Sequence, residues 1–175
     1  MLYILKTADT INRAQSFTLD TILIHQAQTA ADCAQVRRLL ETYAASFEVD
    51  LFALDGLAEE LNNMLTYYRP PGVLLLAKQR HRTVGCVGLR EIAPGVGEMK
   101  RLFVLPGHQG EGIGRALIRQ LIEHAQERCF QTIQLEVLRS SESALSLYRQ
   151  SGFREIPRYR NRSVSNLVAM ELILD

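Results

Sequence analysis

Apolar side chains along this chain follow two rhythms that change over at regular points. Ile22, Leu23 and Ile24 form the apolar centre of a short strand over residues 21–26. Thr29 or Asp32 can cap the helix that follows. In that helix Val36, Leu39, Leu40 and Tyr43 recur at helical spacing, which carries it to about residue 47. Asp55 can cap a second helix over residues 56–67, ended by Arg69-Pro70-Pro71-Gly72 because proline cannot continue it. The unbroken apolar run 73–77 predicts a buried strand, 79–82 a hairpin loop, 83–92 the returning strand, 93–97 a turn and 98–105 a fourth strand. Ile113, Leu117, Leu121 and Ala125, with Ile118 and Ile122 beside them, predict a third helix over 113–128. Ile133, Leu135 and Val137 alternate, which predicts a strand over 132–138. A helix capped by Ser140 or Ser141 follows, then Gly152 in the left-handed conformation, a strand, and a last strand over 167–174.

Early strands joined by hairpins and later ones joined by helices predict an α/β (α+β) fold. It is a mixed, mostly antiparallel sheet of about seven strands with helices on both faces. Residues 1–20 have no such rhythm and are expected to be an arm or an extra strand, with residues 21–175 forming one domain.

Composition narrows the function classes. The chain of 175 residues suits one core, and 47% hydrophobic residues can fill it. A formal charge of +1 argues against non-specific nucleic-acid binding. No apolar run reaches membrane-spanning length, and Lys6 and Asp9 interrupt the apolar start, so neither a membrane span nor a signal peptide is expected. Cys33, Cys86 and Cys129 are odd in number and far apart; Cys86 and Cys129 read as small buried residues, and no disulfide is implied. That pattern points to the cytoplasm. His25, His81, His108 and His124 are mutually isolated, so no metal is expected.

The chemistry concentrates in Pro106-Gly107-His108-Gln109-Gly110-Glu111-Gly112-Ile113-Gly114, between a strand and a helix. The first amides of a helix lack internal partners, and the helix dipole leaves positive charge there. Glycines remove the Cβ atoms that would keep a ligand away, so the segment reads as a phosphate socket. It is not an NTP-hydrolysing P-loop: Ile113-Gly114 stands where Lys-Ser/Thr is required. Nor is it a dinucleotide fingerprint, whose third glycine would fall on Arg115.

Gln109-x-x-Gly112-x-Gly114, with the preceding EMKRLFVLP and the later ALSLYRQSGF, resembles the GNAT superfamily of N-acetyltransferases. The resemblance covers roughly residues 21–174 and is most specific over 98–153. It implies that the fourth and fifth strands run parallel and splay apart in a V. Acetyl-coenzyme A then lies in the gap, with its pyrophosphate on the loop amides, and coenzyme A leaves as product. The cofactor-binding residues it implies are Phe103, Val104, Leu105, Gln109, Gly110, Glu111, Gly112, Ile113, Gly114, Arg115, Ser141 and Tyr148. Ser141 departs from the asparagine common at that place.

Acetyl transfer to an amine needs a proton acceptor, a donor to the developing oxyanion and a proton for the leaving thiolate. Glu98, at the start of the fourth strand, can accept the amine proton, and burial would make it a better base. Strand alternation places Glu98, Lys100, Leu102 and Val104 on one face, and Met99, Arg101, Phe103 and Leu105 on the other. The resemblance implies a bulge in this strand that frees a backbone N–H for the thioester carbonyl, here at Val104 among residues 103–105. It implies that Tyr148 donates its phenolic proton to the sulfur; a phenol of pKa about 10 is protonated at neutral pH. The cluster Arg154, Arg158, Arg160 and Arg162 is a solvated charged face or, if Arg158 and Arg160 share a strand face, a grip for a substrate carboxylate.

The expected activity is acetyl transfer by direct attack to the primary amine of a small molecule, such as an amino acid or another carboxylate-bearing amine. A protein N-terminal or lysine acetyltransferase and a non-catalytic acyl-coenzyme A-binding module are the alternatives. The expected partner is the amine acceptor alone, without nucleic acid or membrane, in a monomer or homodimer.

Overall fold

A computed structural model describes residues 3–4, 22–44, 56–159 and 166–175. In chain order the elements are β1 (Tyr3–Ile4), β2 (Leu23–Gln26), α1 (Ala30–Ala44), α2 (Leu57–Asn62), α3 (Met64–Tyr67), β3 (Val73–Gln79), β4 (Arg82–Ala93) and β5 (Val96–Val104). A 3-10 turn (Pro106–His108) then leads to α4 (Ile113–Glu127), β6 (Thr132–Leu138), α5 (Glu142–Gln150), β7 (Arg154–Ile156) and β8 (Leu167–Ile173). The described strands form one sheet in the order β1-β2-β3-β4-β5-β6-β8-β7. Every neighbouring pair is antiparallel except β5 and β6, which are parallel. The expected mixed sheet with a parallel pair is therefore present, and β1 makes it eight-stranded.

Local chemistry accounts for most element ends. Thr29 and Asp32 cap α1 together: the Asp32 amide donates to Thr29 Oγ1 (3.1 Å), and the Thr29 amide donates to Asp32 Oδ2 (3.1 Å). Arg80 and His81 both take positive φ (46° and 66°), giving the two-residue hairpin turn that suits twisted strands. Tyr3 and Ile4 pair with Ile24 and Leu23, so part of the arm is an extra strand; residues 5–20 lie outside the described residues, as do 45–47. The expected second helix breaks at Asn63 (φ −135°, ψ 36°), whose amide bonds to the Glu60 carbonyl at 3.2 Å. Its start is Gly56 in the left-handed region, and Asp55 lies outside the described residues. Cys129 is exposed rather than buried, because it sits just past α4 with φ 59°.

Two cores sandwich the sheet. On one face α4 and α5 pack Leu117, Leu121, Ala125 and Leu145 onto Leu75, Val87, Leu89, Ile133, Leu135 and Met170. On the other, α1, α2 and α3 pack Val36, Leu40, Leu57, Leu61 and Met64 onto Leu74, Leu76, Cys86 and Phe103. No helix among the described residues is long and apolar enough to cross a membrane.

The expected alternation of β5 fails at one place. Gly88 pairs with Lys100 and Cys86 with Phe103, which leaves Arg101 and Leu102 opposite Val87 alone. Arg101 is the bulged residue, at φ 58°. One extra residue reverses the facing of everything beyond it. Met99, Leu102 and Val104 thus pack on the α4–α5 side. Lys100 and Arg101 reach Glu60, and Phe103 and Leu105 pack on the α1–α3 side.

β5 and β6 pair only over Val96–Thr132, Gly97–Ile133 and Glu98–Gln134. Beyond that, β5 stays on β4 as far as Val104, and β6 stays on β8 as far as Leu138. Each strand is held by its outer neighbour, so the edge between them opens.

Candidate active site

The glycine loop closes the wide end of this opening. The Leu105 amide donates to the Val84 carbonyl at 2.8 Å, tying the end of β5 to β4. Gln109 folds back and donates Nε2 to the Val104 carbonyl at 3.0 Å. Gly110 and Gly112 take φ 82° and 81°, which L side chains resist. A Cβ on Gly107, Gly110 or Gly112 would meet nothing within 4 Å, so the loop offers open main chain. Among the described residues no side chain caps α4, so its first amides retain their donors for an anion. A bare glycine shelf at an uncapped helix start fits a diphosphate. Gly114 differs: its Cβ would lie 3.2 Å from Leu147 Cδ2, so it sets the approach of α5 to α4. Ile113 is buried in the core, while Glu111 accepts from Gln79 Nε2 (3.2 Å) and Arg115 donates to Gln150 (2.6 Å).

Main-chain direction at the gap follows from the same bonds. Leu105 N–H points to β4, and the Phe103 carbonyl faces Gly85 on that side. Peptide groups alternate along an extended strand, so Val104 turns its N–H and C=O away from β4, toward the gap. Gln109 takes the carbonyl.

α5 brings Tyr148 to the α4–α5 side of this gap, 8% exposed. Its spacing to Gly152 and Phe153 has a structural reason. Gly152 (φ 94°) donates its amide to Arg149 O (3.1 Å), and Phe153 donates its amide to Tyr148 O (3.0 Å). This is a Schellman closure, with the Phe153 ring 5.9 Å from that of Tyr148. Ser141 occupies the start of α5 but makes no side-chain cap bond.

Glu98 lies on the opposite side, 3% exposed. Arg90 Nε donates to its Oε2 at 2.9 Å, and Tyr159 Oη donates to its Oε1 at 3.3 Å. The Arg90 guanidinium stands 4.7 Å over the Tyr67 ring, and Lys100 Nζ donates to Tyr67 Oη at 3.2 Å. Burial foremost pushes the Tyr67 phenol up to about 12. Strand register extends this polar row across the sheet: Arg90, Glu98, Gln134, Glu171 and Arg154 are successive partners. Gln134 Nε2 donates to Glu171 at 2.8 Å. Glu136, two residues beyond Gln134, shares its face past the last β5–β6 pair, with both carboxylate oxygens buried.

The fold thus brings Val104, Gln109 and the glycines to one opening and puts Tyr148 and Glu98 on its two sides. Arg158 is exposed and beyond the end of β7, so strand alternation does not aim it; Arg160 and Arg162 lie outside the described residues. Tyr67, Arg90, Glu136 and Tyr159 were missed by sequence reasoning. Only Glu136 had a signal there: the inward alternation of Ile133, Leu135 and Val137 turns Gln134 and Glu136 to the other face.

Residues 32–153 match the model of the acetyltransferase (GNAT) family. An uncharacterized N-acetyltransferase of Schizosaccharomyces pombe is 30% identical over 154 residues, 86% of this chain and 94% of that one. A ribosomal protein bS18-alanine N-acetyltransferase of Escherichia coli is 41% identical over 60 residues, 34% of this chain and 40% of its own. Among solved structures, a GNAT-superfamily phosphinothricin acetyltransferase from Sinorhizobium meliloti, in complex with acetyl-coenzyme A, superposes with a TM-score of 0.68 at 17% identity, over 86% of this chain and 87% of that one. A fold whose parallel strand pair parts beside the start of α4, with residues 32–153 matched by the family model, places this chain in the GNAT family of acetyltransferases.

Proposed function

We propose that this chain, through a single domain over residues 21–175, moves an acetyl group from acetyl-coenzyme A to the primary amine of a small molecule by direct attack. Acetyl-coenzyme A supplies the activated thioester. The amides of Gly110, Gly112, Ile113, Gly114 and Arg115 hold its diphosphate, with Ser141 near the carrier arm. Val104 donates its gap-facing amide to the thioester oxygen as negative charge grows there. Glu98 takes the proton from the amine, directly or through a water, and Tyr148 gives its phenolic proton to the departing sulfur. Arg158 and Arg160 are the candidate partners for a substrate carboxylate, on the chemistry of the guanidinium alone. The observation that carries this reading is the Val104 amide turned into a strand gap, with Tyr148 on one side and Glu98 on the other.

Glu98 enters the reaction ion-paired to Arg90, which holds its carboxylate in place. Glu136 stands farther along the same wall. Glu98→Gln is expected to lower kcat by about 100-fold, the scale of a general base, with acetyl-coenzyme A affinity kept. A silent Glu98→Gln beside a damaged Glu136→Gln would transfer the role to Glu136.

The deciding experiment is free-thiol release from acetyl-coenzyme A across a panel of amino acids, other small amines and peptides with free N-termini. Turnover of small amines is expected. Turnover confined to peptides would replace this reading with a protein acetyltransferase, and binding without turnover would replace it with a carrier-binding module.

A further inference from the structure

On the α1–α3 side, beneath the gap, lies a charged cluster that acetyl transfer as described does not use. Glu60, on α2, is 0% exposed, and Arg101, the bulged residue of β5, is 9% exposed. Arg101 Nε donates to both Glu60 oxygens (3.1 and 3.0 Å), and its Nη2 donates to Oε2 at 2.8 Å. Tyr68 Oη donates to Glu60 Oε1 at 2.5 Å, and Lys100 Nζ lies 3.8 Å from Oε2. Tyr68 in turn lies flush on β4: a Cβ on Gly88 would come within 2.2 Å of its ring. The Cys86 thiol donates to the Arg101 carbonyl at 3.4 Å.

Burying an ion pair is a poor way to gain stability, because apolar residues of like volume often serve as well. This pair sits where conformation matters most. Arg101 holds φ 58°, a region unfavourable to any L residue but open to glycine. The bulge it makes sets the phase of the strand beyond it, and with it the direction of the Val104 amide. Without the extra residue, Val104 would turn its N–H toward β4.

We infer that Glu60 is a positioning residue. By gripping Arg101 at two points, with Tyr68 fixing its other side, it holds the bulge and so aims the Val104 amide at the thioester oxygen. This rests on the acetyltransferase reading above. It assigns α2, which lends no residue to the phosphate loop, a part in the rate and none in carrier affinity.

The test uses full-length protein labelled with 15N-valine. In the wild type, the Val104 amide signal should differ between the coenzyme A and acetyl-coenzyme A complexes, since only the latter has a carbonyl to bond. Glu60→Leu/Arg101→Met removes both charges together. It should keep acetyl-coenzyme A affinity within about threefold, since the phosphate contacts are untouched. It should lose the Val104 difference, and about 100-fold in kcat with the best amine of the panel, the scale of one lost oxyanion donor. Glu60→Leu/Arg101→Gly should regain much of both, because glycine takes positive φ unaided. Tyr68→Phe keeps the ring on Gly88 and guards against misfolding of the double variants; it should lower kcat several-fold at unchanged KM. A Val104 difference absent from the wild-type complexes, preserved in the methionine variant, or equal in the methionine and glycine variants overturns the inference. So does a Tyr68→Phe enzyme with wild-type kcat. Wild-type protein that binds no acetyl-coenzyme A overturns the acetyltransferase reading, and this inference with it.

Discussion

At the scale of single residues, chemistry and packing separate cleanly. Tyr148 is buried on α5, and its proposed task is one proton, so Tyr148→Phe should cost about 100-fold in kcat while acetyl-coenzyme A binds as before. Stopped-flow thiol release and calorimetric binding would read the two effects apart. The loop glycines divide in the same manner. Gly107 is neither at positive φ nor crowded, so Gly107→Ala should leave the melting temperature unchanged and weaken only carrier binding. Gly112→Val should damage both, with about 1–2 kcal/mol of backbone strain added at φ 81°. Equal melting temperatures for wild type and Gly112→Val would contradict that assignment. Most of these residues were legible in the sequence, because each belongs to a short motif with a local mechanism. Tyr159 was not: it reaches Glu98 across 61 positions of chain, and no local spacing encodes that.

At the scale of elements, two helix ends carry testable weight. Gly152 closes α5 at φ 94°, and a Cβ there would also lie 3.1 Å from Leu172. Gly152→Ala should destabilise the protein by about 1–2 kcal/mol in urea unfolding. It should also lower kcat, since Phe153 and Tyr148 hang on the same closure. The start of α1 adds a pH dependence. Burial works to raise the Asp32 carboxyl, but bonds from Thr29, the Gln28 amide and His25 outweigh it and lower it to about 2. A carboxyl depressed in the folded state stabilises above its unfolded value of about 3.9, and that contribution is lost as pH falls through the folded value. Wild type should therefore exceed Asp32→Asn in stability at about pH 5, and the difference should vanish near about pH 2. A difference that persisted at the acid end would mean the cap does not depend on the charge.

At the scale of the whole molecule, the gap exists because β4 and β8 hold the outer edges of β5 and β6 while the inner edges share three residue pairs. A ligand filling that gap binds only the folded chain. At a hundredfold excess over Kd, acetyl-coenzyme A should add about 2.7 kcal/mol of stability, a rise of about 5–10 °C in melting temperature. Differential scanning calorimetry with and without it would show the shift, and no shift would mean that the opening does not take the carrier.

The order of strands and helices, the glycine shelf and the closure of α5 were determined by sequence alone, since hydrophobic period, turn chemistry and backbone conformation act over a few residues. The facing of β5 was not. A strict period of two puts Arg101 beside Met99 and Phe103, but Glu60 on α2, 41 positions upstream, and Tyr68 just past α3 stabilise one extra residue there and reverse the strand beyond it. The direction of the Val104 amide, the pairing of Glu98 with Arg90 and Tyr159, and the parting of β5 from β6 all depend on contacts between segments distant along the chain. Only tertiary structure decides these, because a buried charge or a strand edge finds its partner in space rather than in sequence.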